Sequence, residues 1–422
     1  MQNESELDTP RNVGPLILLN RALVQTRLRA KLFAVLITPV FLLGCSSTKS
    51  LPQPETNQKQ TSKLAEDFQI AQNQKPKEVD LKQLKALADE YNRKANYLAA
   101  EPLYKEVLLT PTTYNSILHI SDFVDTANKL AKIYEMREQY DATEFCHRFA
   151  LEALKKSPKA TARDKALAMY KLGCSRQQHG DYKGVEQLFR ESYQILKKEV
   201  SKDPTDAEAL NIMASLVFQS DRTSGAPELW SRALKEALRK SGKERLQATE
   251  ALTRIAAMRL RGGTAAETAQ TELLYRQAVD IAEGVLGKTD PEVANQLEFL
   301  GRYYTDEVKD QERGSQCYAR SLKIRESALY EFAPEIGNSL RELASCKYWQ
   351  GKKEEATVLE KRSNAIKTKF LIPGGMWFSG SDRGLEFYLK ESGKHSEAQF
   401  LSDRASFVPG HAYAWGPKYK LE

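Results

Sequence analysis

Cysteine and histidine are both scarce in this chain of 422 residues, at five each. No two cysteines form a C-x-x-C pair, and no cysteine–histidine group has zinc-ligand spacing, so neither a zinc module nor a dithiol redox motif is signalled. HExxH, GxSxG, the P-loop and GxGxxG are also missing. No catalytic residue, metal, cofactor or small-molecule substrate is therefore expected. His179 and His395, beside Gly180 and Lys394, read as solvated turn residues. An enzyme whose site is assembled from distant helices would leave no such signature and stands as a separate class of reading. Charge of one sign is lacking too. The net charge of +7 falls to +5 for a chain starting at Cys45, because residues 1–44 hold five Arg/Lys and three Asp/Glu. Spread over this length, it gives no reason to expect nucleic acid. A mean hydropathy of −0.55 is a globular balance.

Long apolar runs are absent as well. The run at residues 32–44, LFAVLITPVFLLG, is thirteen long, whereas a membrane-spanning helix needs about 20. It has the size of the apolar region of a signal peptide, and Arg21, Arg27, Arg29 and Lys31 precede it with no acidic residue among them. The sequence Leu42-Leu43-Gly44-Cys45 that follows resembles the bacterial lipobox. That resemblance implies that residues 1–44 are removed and that Cys45 becomes a lipid-modified N-terminus. Its two or three acyl chains would hold a globular chain on a membrane where one would be marginal. By analogy with enteric bacteria, the non-Asp residue Ser46 implies the cell envelope, at the periplasmic face of the outer membrane. The leader exceeds the usual length of about 15–30 and opens with the acidic MQNESELD; a misassigned start, with translation beginning nearer Leu23 or Val24, is one explanation. A short signal anchor and a buried core strand are the competing readings. The strand is disfavoured because the next thirty residues could not cover it. Residues 45–78 are rich in Gln, Lys, Ser, Thr and Pro, too polar to bury a core, and are read as a disordered tether.

Beyond residue 78 one pattern returns eight times. A small residue is followed three or four positions on by an apolar–aromatic pair or its remnant. Examples are AEPLYKEVL (100–108), VEQLFRESY (185–193), APELWSRAL (226–234) and TELLYRQAV (271–279). The second member of each pair is Tyr104, Cys146, Phe189, Trp230, Tyr275, Tyr318, Glu360 and Leu401, at spacings of 42, 43, 41, 45, 43, 42 and 41. So regular a period marks a repeat array. A second helical segment precedes each marker, as in LKALADEY (84–91), NKLAKIY (128–134), LEFLGRYY (297–304) and LRELASCKY (340–348), with a Leu next to Ala or Gly. Turns such as QHGDYKG and WQGKKEE join the two. The small residue permits close approach and the large ones fill the gap. A helix pair apolar on both sides must stack on its copies, which predicts an all-α fold, an α-solenoid of about eight helix-turn-helix repeats over residues 79–408.

A period near 42 also suits HEAT and armadillo arrays. The motif L-[AG]-x2-Y, a turn, then A-x2-L-Y resembles the tetratricopeptide repeat. The longer period and the connection Leu286-Gly287-Lys288-Thr289-Asp290-Pro291-Glu292-Val293-Ala294 resemble its kinesin-light-chain variety. Pro291 stands where a helix should begin. The resemblance implies protein or peptide partners bound along a concave face lined by the first helix of each repeat. The positions flanking the Leu-Ala pair would point into it: Asn128, Lys132, Tyr170, Asn211, Arg302, Arg341 and Tyr348. Such a set suits an extended segment bearing an acidic group or a terminal carboxylate. The plainer reading of each is a solvated helix residue. A membrane-tethered interaction scaffold is the reading that follows; a cytoplasmic or signal-anchored adaptor is the alternative.

Three irregularities complete the reading. The fifth repeat has three extra residues and a Gly262-Gly263 turn, which predicts a kink. KTKFLIPGGMWFSGS, residues 367–381, breaks the helical pattern and predicts a last helix pair standing slightly apart. The aromatic tail at 409–422, with Phe407 just before it and Tyr413, Trp415 and Tyr419 within it, is read as a cap on the end of the solenoid or a docking strip. Cys146 and Cys174 lie 28 apart, and Cys317 and Cys346 lie 29 apart, each pair on successive helices. They invite disulfides, against the plainer reading of small buried residues at helix contacts.

Overall fold

The pattern of small and large residues becomes helix pairs in a computed structural model, which describes residues 81–109, 119–219, 225–259, 265–371 and 376–405. Cys45, the Gly262-Gly263 turn and the tail aromatics lie outside the described residues. Within them are sixteen α-helices and no strand. In chain order they are α1 (Leu81–Arg93), α2 (Tyr97–Leu109), α3 (Ile120–Met136), α4 (Tyr140–Lys156), α5 (Ala162–His179), α6 (Val185–Lys202), α7 (Ala207–Gln219) and α8 (Ala226–Arg239). Then follow α9 (Gln247–Arg259), α10 (Ala265–Leu286), α11 (Pro291–Arg302), α12 (Gln311–Ala328), α13 (Pro334–Trp349), α14 (Lys353–Phe370), α15 (Met376–Glu391) and α16 (His395–Ala405). Odd and even helices pair, and each pair packs on the next, giving the eight repeats the period predicts.

Local signals set the boundaries. Thr161 and Asp164 form a reciprocal capping box that starts α5, and Gly180 ends it in the left-handed region at φ 81°. At α11 the Asp290 side chain accepts the Glu292 N–H at 2.9 Å, and Pro291 takes the first helical position as expected. All eight marker residues are buried. The small residues face them: a Cβ on Gly173 would lie 2.3 Å from Phe189 Cε1, and one on Gly301 would lie 2.9 Å from Tyr318 Cε1. Glycine is therefore a packing requirement at both positions.

The structure departs from the expected pattern in two places. The segment LEFLGRYY is not one α-helix. A π-turn over Tyr303–Val308 follows α11. Both tyrosines at its start, Tyr303 and Tyr304, are buried, with their rings 5.5 Å apart and tilted. The last pair does not stand apart. α15 is tied to α14 by Asn364 Nδ2 donating to Asp382 Oδ1 at 3.0 Å and by Thr357 and Ser392 hydroxyls 2.7 Å apart.

One contact joins distant repeats. The turn after α1 meets the connection after α12, where the Tyr330 N–H donates to the Lys94 carbonyl at 2.7 Å. The Tyr97 hydroxyl donates to the Glu335 carboxylate, and the Tyr97 ring lies 5.7 Å from that of Phe370. A single apolar cluster accordingly includes Tyr97, Tyr104 and Phe123 together with Tyr318, Leu340 and Phe370. The first repeat thus closes against the sixth and seventh.

This closure makes a prediction. Tyr97→Ala removes a buried ring and the hydrogen bond to Glu335, and should cost about 3 kcal/mol in urea unfolding. Small-angle scattering should show a larger radius of gyration for the folded variant. Unchanged dimensions would mean that nearest-neighbour stacking alone sets the curvature.

Candidate functional site

The odd helices line one side of the solenoid, and residues four apart on each form a stripe along it. In the first two repeats the stripes neutralise each other. Lys85 Nζ reaches Asp89 at 2.8 Å and Asp125 at 2.9 Å, and Lys129 Nζ reaches the same two carboxylates at 2.9 and 2.7 Å. Burial alone would raise the Asp89 carboxyl. Hydrogen bonds from Lys85, Lys129 and Tyr104 outweigh it and hold the group below the usual range. Farther along, Arg163 on α5 is paired to Asp206 at 2.5 Å and to Glu208 at 2.6 Å.

The last three repeats differ. The acidic member of the α11 stripe, Glu298, is drawn backwards by Arg325 of α12, only 3% exposed, which bonds both its oxygens. Ser339 Oγ donates to the same carboxylate at 2.8 Å, and Arg325 also donates to Asn295 Oδ1 at 2.7 Å and to the Glu335 carbonyl at 2.9 Å. With Glu298 spent on this network, Arg302 on α11, Arg341 on α13 and Arg383 on α15 are exposed, and among the described residues they make no ion pair. Helices α13 and α15 also carry an aromatic patch. Tyr348 is 5.5 Å from Trp349 and 5.2 Å from Phe387, and these two are 69% and 46% exposed. Tyr348 is fixed by its bond to Glu391 at 3.2 Å and by Lys353 Nζ, 5.8 Å from its ring.

Behind Arg341 sits Glu360, the one acidic marker. It is fully buried, and neither carboxylate oxygen has a hydrogen-bond partner. Gly384 makes room for it, since a Cβ there would lie 2.9 Å from Oε1. Burial raises its carboxyl from 4.5 to about 7, although Lys367 and Arg341 pull the other way. Burial likewise lowers Lys367 to about 8. Glu342 is raised by the same desolvation.

Of the residues expected in the groove, the structure gathers Arg302, Arg341 and Tyr348 on α11 and α13. Asn128 is half-buried and Lys132 exposed on α3, far along the array. Tyr170 is half-buried against Phe189, 6.1 Å between rings. Asn211 is buried, with Nδ2 donating to the Gln247 carbonyl at 3.0 Å, so it holds α7 to the start of α9. Sequence reasoning passed over Arg383, Trp349 and Phe387. Arg383 follows Arg341 by 42 residues, one full period, and the register alone could have found it. The four described cysteines are free thiols. Burial pushes Cys174 and Cys317 up to about 11 and Cys346 to about 12, and raises Cys146 further, so at neutral pH they stay protonated. Among the described residues no group of three or more His, Cys, Asp or Glu could hold a metal ion, and no helix is long and apolar enough to cross a membrane.

Eight stacked helix pairs, a small residue opposite a large one in each, and a groove lined by the first helices decide the architecture. The fold is a tetratricopeptide-like solenoid. No family model and no curated protein matches the chain. Among solved structures, BtubC (BKLC) from P. vanneervenii is similar at 18% identity and TM-score 0.44, over 52% of this chain and 88% of that one. TPR-like repeats of a Podosopora anserina protein described as a kinesin light chain are similar at 19% identity and TM-score 0.40, over 48% and 94%. Pseudomonas aeruginosa PilF is similar at 17% and 0.37, over 58% and 92%. At these values the likeness concerns fold only.

Glu360 sets a pH dependence. A carboxyl whose folded value lies above its unfolded one favours the fold most below about 4.5 and loses that contribution as pH rises through about 7. Thermal melts of the chain should therefore fall over that window. Glu360→Leu, which copies the marker of the last repeat, should melt higher at pH 7 and show a flatter profile there. An unchanged slope would assign the dependence to other groups.

Proposed function

We propose that this chain is a membrane-tethered interaction scaffold that holds an acidic protein segment against its last three repeats. The observation that carries the reading is the contrast along the groove. Lys85 and Lys129 of the first repeats are matched by aspartates, whereas Arg302, Arg341 and Arg383 stand exposed without an ion pair, and Trp349 and Phe387 are exposed on the helices that carry Arg341 and Arg383. A segment with two or three carboxylates spaced to meet successive arginines, and an apolar side chain for the aromatic patch, complements this surface. Arginine suits such carboxylates because its planar fork makes paired, charge-assisted bonds. A solenoid groove of this kind needs no catalytic group, which agrees with the lack of enzyme motifs.

The tether belongs to the same proposal. It rests on the resemblance of Leu42-Leu43-Gly44-Cys45 to a lipobox and on the polar segment that follows. Cells fed labelled palmitate should label the wild type and not Cys45→Ala. Label absent from both would favour a cytoplasmic or signal-anchored adaptor with the same groove.

The groove is tested separately. Display selection against the purified chain should enrich acidic peptides carrying an aromatic or aliphatic residue. Arg341→Glu with Arg383→Glu should weaken a selected peptide by about 100-fold, at roughly tenfold per charge-assisted contact, and the wild-type affinity should fall with salt. Peptides without acidic character, or affinity indifferent to both substitutions, would place the binding surface elsewhere.

A further inference from the structure

The net charge of the chain is concentrated in a few places. Residues 155–165 and 232–245 hold eleven Lys/Arg against three Asp/Glu, a larger excess than the +7 of the whole chain. They lie at the ends of α4 and α8 and in the connections that follow. A register runs through them and through the intervening repeat. Nine residues past the marker stand Lys155, Lys198 and Arg239; thirteen past it stand Lys159, Lys202 and Lys243. All six are exposed. The three connections share one edge of the solenoid. Arg163 at the start of α5 pairs with Asp206 just before α7, Arg232 of α8 donates to the Pro204 carbonyl at 3.4 Å, and Asp203 lies in the field of both Lys240 and Arg163. Cations at helix C-termini also answer the helix dipole, but that need is the same in every repeat. The same two positions hold Gly284 and Lys288 in the fifth repeat and Ser327 and Glu331 in the sixth. Lys155, Lys202 and Arg239 each meet a Glu three residues back on their own helix, a local pair worth little. Among the described residues Lys159, Lys198 and Lys243 make no ion pair.

We propose that this edge of the second to fourth repeats docks on an anionic phospholipid bilayer. Five of the six register cations are lysine, a compact hydrated charge that meets phosphate groups without a fixed geometry. The groove is built otherwise, with arginines on helices that also carry aromatic rings. The large aromatics exposed among the described residues all lie at or beyond Phe299, so the edge offers no ring on which a base could stack. What it recognises is density of negative charge over a broad surface. A cluster of four to eight such cations suits an anionic lipid surface, where each gains about fivefold in affinity. The bilayer's nearness rests on the tether proposed above; the contact itself does not.

The test uses the full chain carrying Cys45→Ala, so that no acyl chain contributes and the palmitate label decides the tether separately. Vesicles are phosphatidylcholine alone or with phosphatidylglycerol at about 30%. Co-sedimentation should show a preference for the anionic vesicles that fades with salt. Lys159→Gln, Lys198→Gln and Lys243→Gln together should lower the affinity for them by about 100-fold, with an unchanged melting temperature. Lys183→Gln with Lys352→Gln, in turns at the opposite edge, should leave it unaltered. In a second readout, anionic vesicles should slow acetylation of Lys159, Lys198 and Lys243 and not of Lys183 or Lys352. Equal binding to both kinds of vesicle would overturn the proposal, as would an anionic preference that survives the triple substitution or is lost equally in the control. Binding of polyglutamate without binding of the vesicles would overturn it in favour of an acidic protein.

Discussion

A helix pair that is apolar on both flanks has no stable existence by itself, and every feature of this chain answers to that constraint. The pair cannot gather a core of its own, because the residues that would form it face opposite ways. It gains burial only by receiving a neighbour on each side. The contacts that accomplish this are short-range and repetitive: a glycine or alanine on the odd helix against a large side chain on the even one. Gly173 against Phe189 and Gly301 against Tyr318 show how little tolerance there is, since even a methyl group would collide with the ring. The constraint also explains why the ends of the array differ from its middle.

An array bound only by neighbours would be an elastic ribbon. The contact of the Lys94–Tyr97 turn with Tyr330, Glu335 and Phe370 removes that freedom by fixing the first repeat to the sixth and seventh. It also connects physically to the candidate site. Glu335 accepts from Tyr97 through its side chain and from Arg325 through its carbonyl, and Arg325 is the group that turns Glu298 away from the groove. The curvature of the solenoid and the exposure of the groove arginines thus share one hydrogen-bonded chain.

Much of the architecture was legible in the residues, and the reason is periodicity. Eight markers spaced 41–45 residues apart required eight pairs, and Pro291 after Asp290 announced the start of α11. What was not legible lacks a period. Tyr97 and Glu335 are 238 residues apart, and the turns that bring them together carry no repeat signal. The π-turn at Tyr303–Val308 inserts between two regular helices without a sequence mark of its own. The groove set named from the sequence, with Lys132, Arg302 and Arg341, does not include Lys85 or Lys129, which share the odd helices. The acids that cancel Lys85 and Lys129 sit four residues away on the same helices, and the folded geometry adds the cross-helix pairs Lys85–Asp125 and Lys129–Asp89. Asn211 matched a groove position in register and is nonetheless spent on holding Gln247.

Burial of ionisable groups is uneven along the solenoid. Glu360, Lys367 and Glu342 cluster behind Arg341, and Arg325 lies buried nearby. Elsewhere a marker is aromatic, aliphatic or, at Cys146, a buried thiol, and contributes to stability outright, whereas a buried carboxyl without a hydrogen-bond partner costs stability. A repeated packing scheme has no use for that substitution, and the other seven repeats do without it. The cost falls in the same repeats whose surface arginines are left uncompensated. Violations of a local rule concentrate where a surface is shaped for something other than stability. On that argument the buried carboxyl of the seventh repeat agrees with the binding surface proposed for the last three repeats.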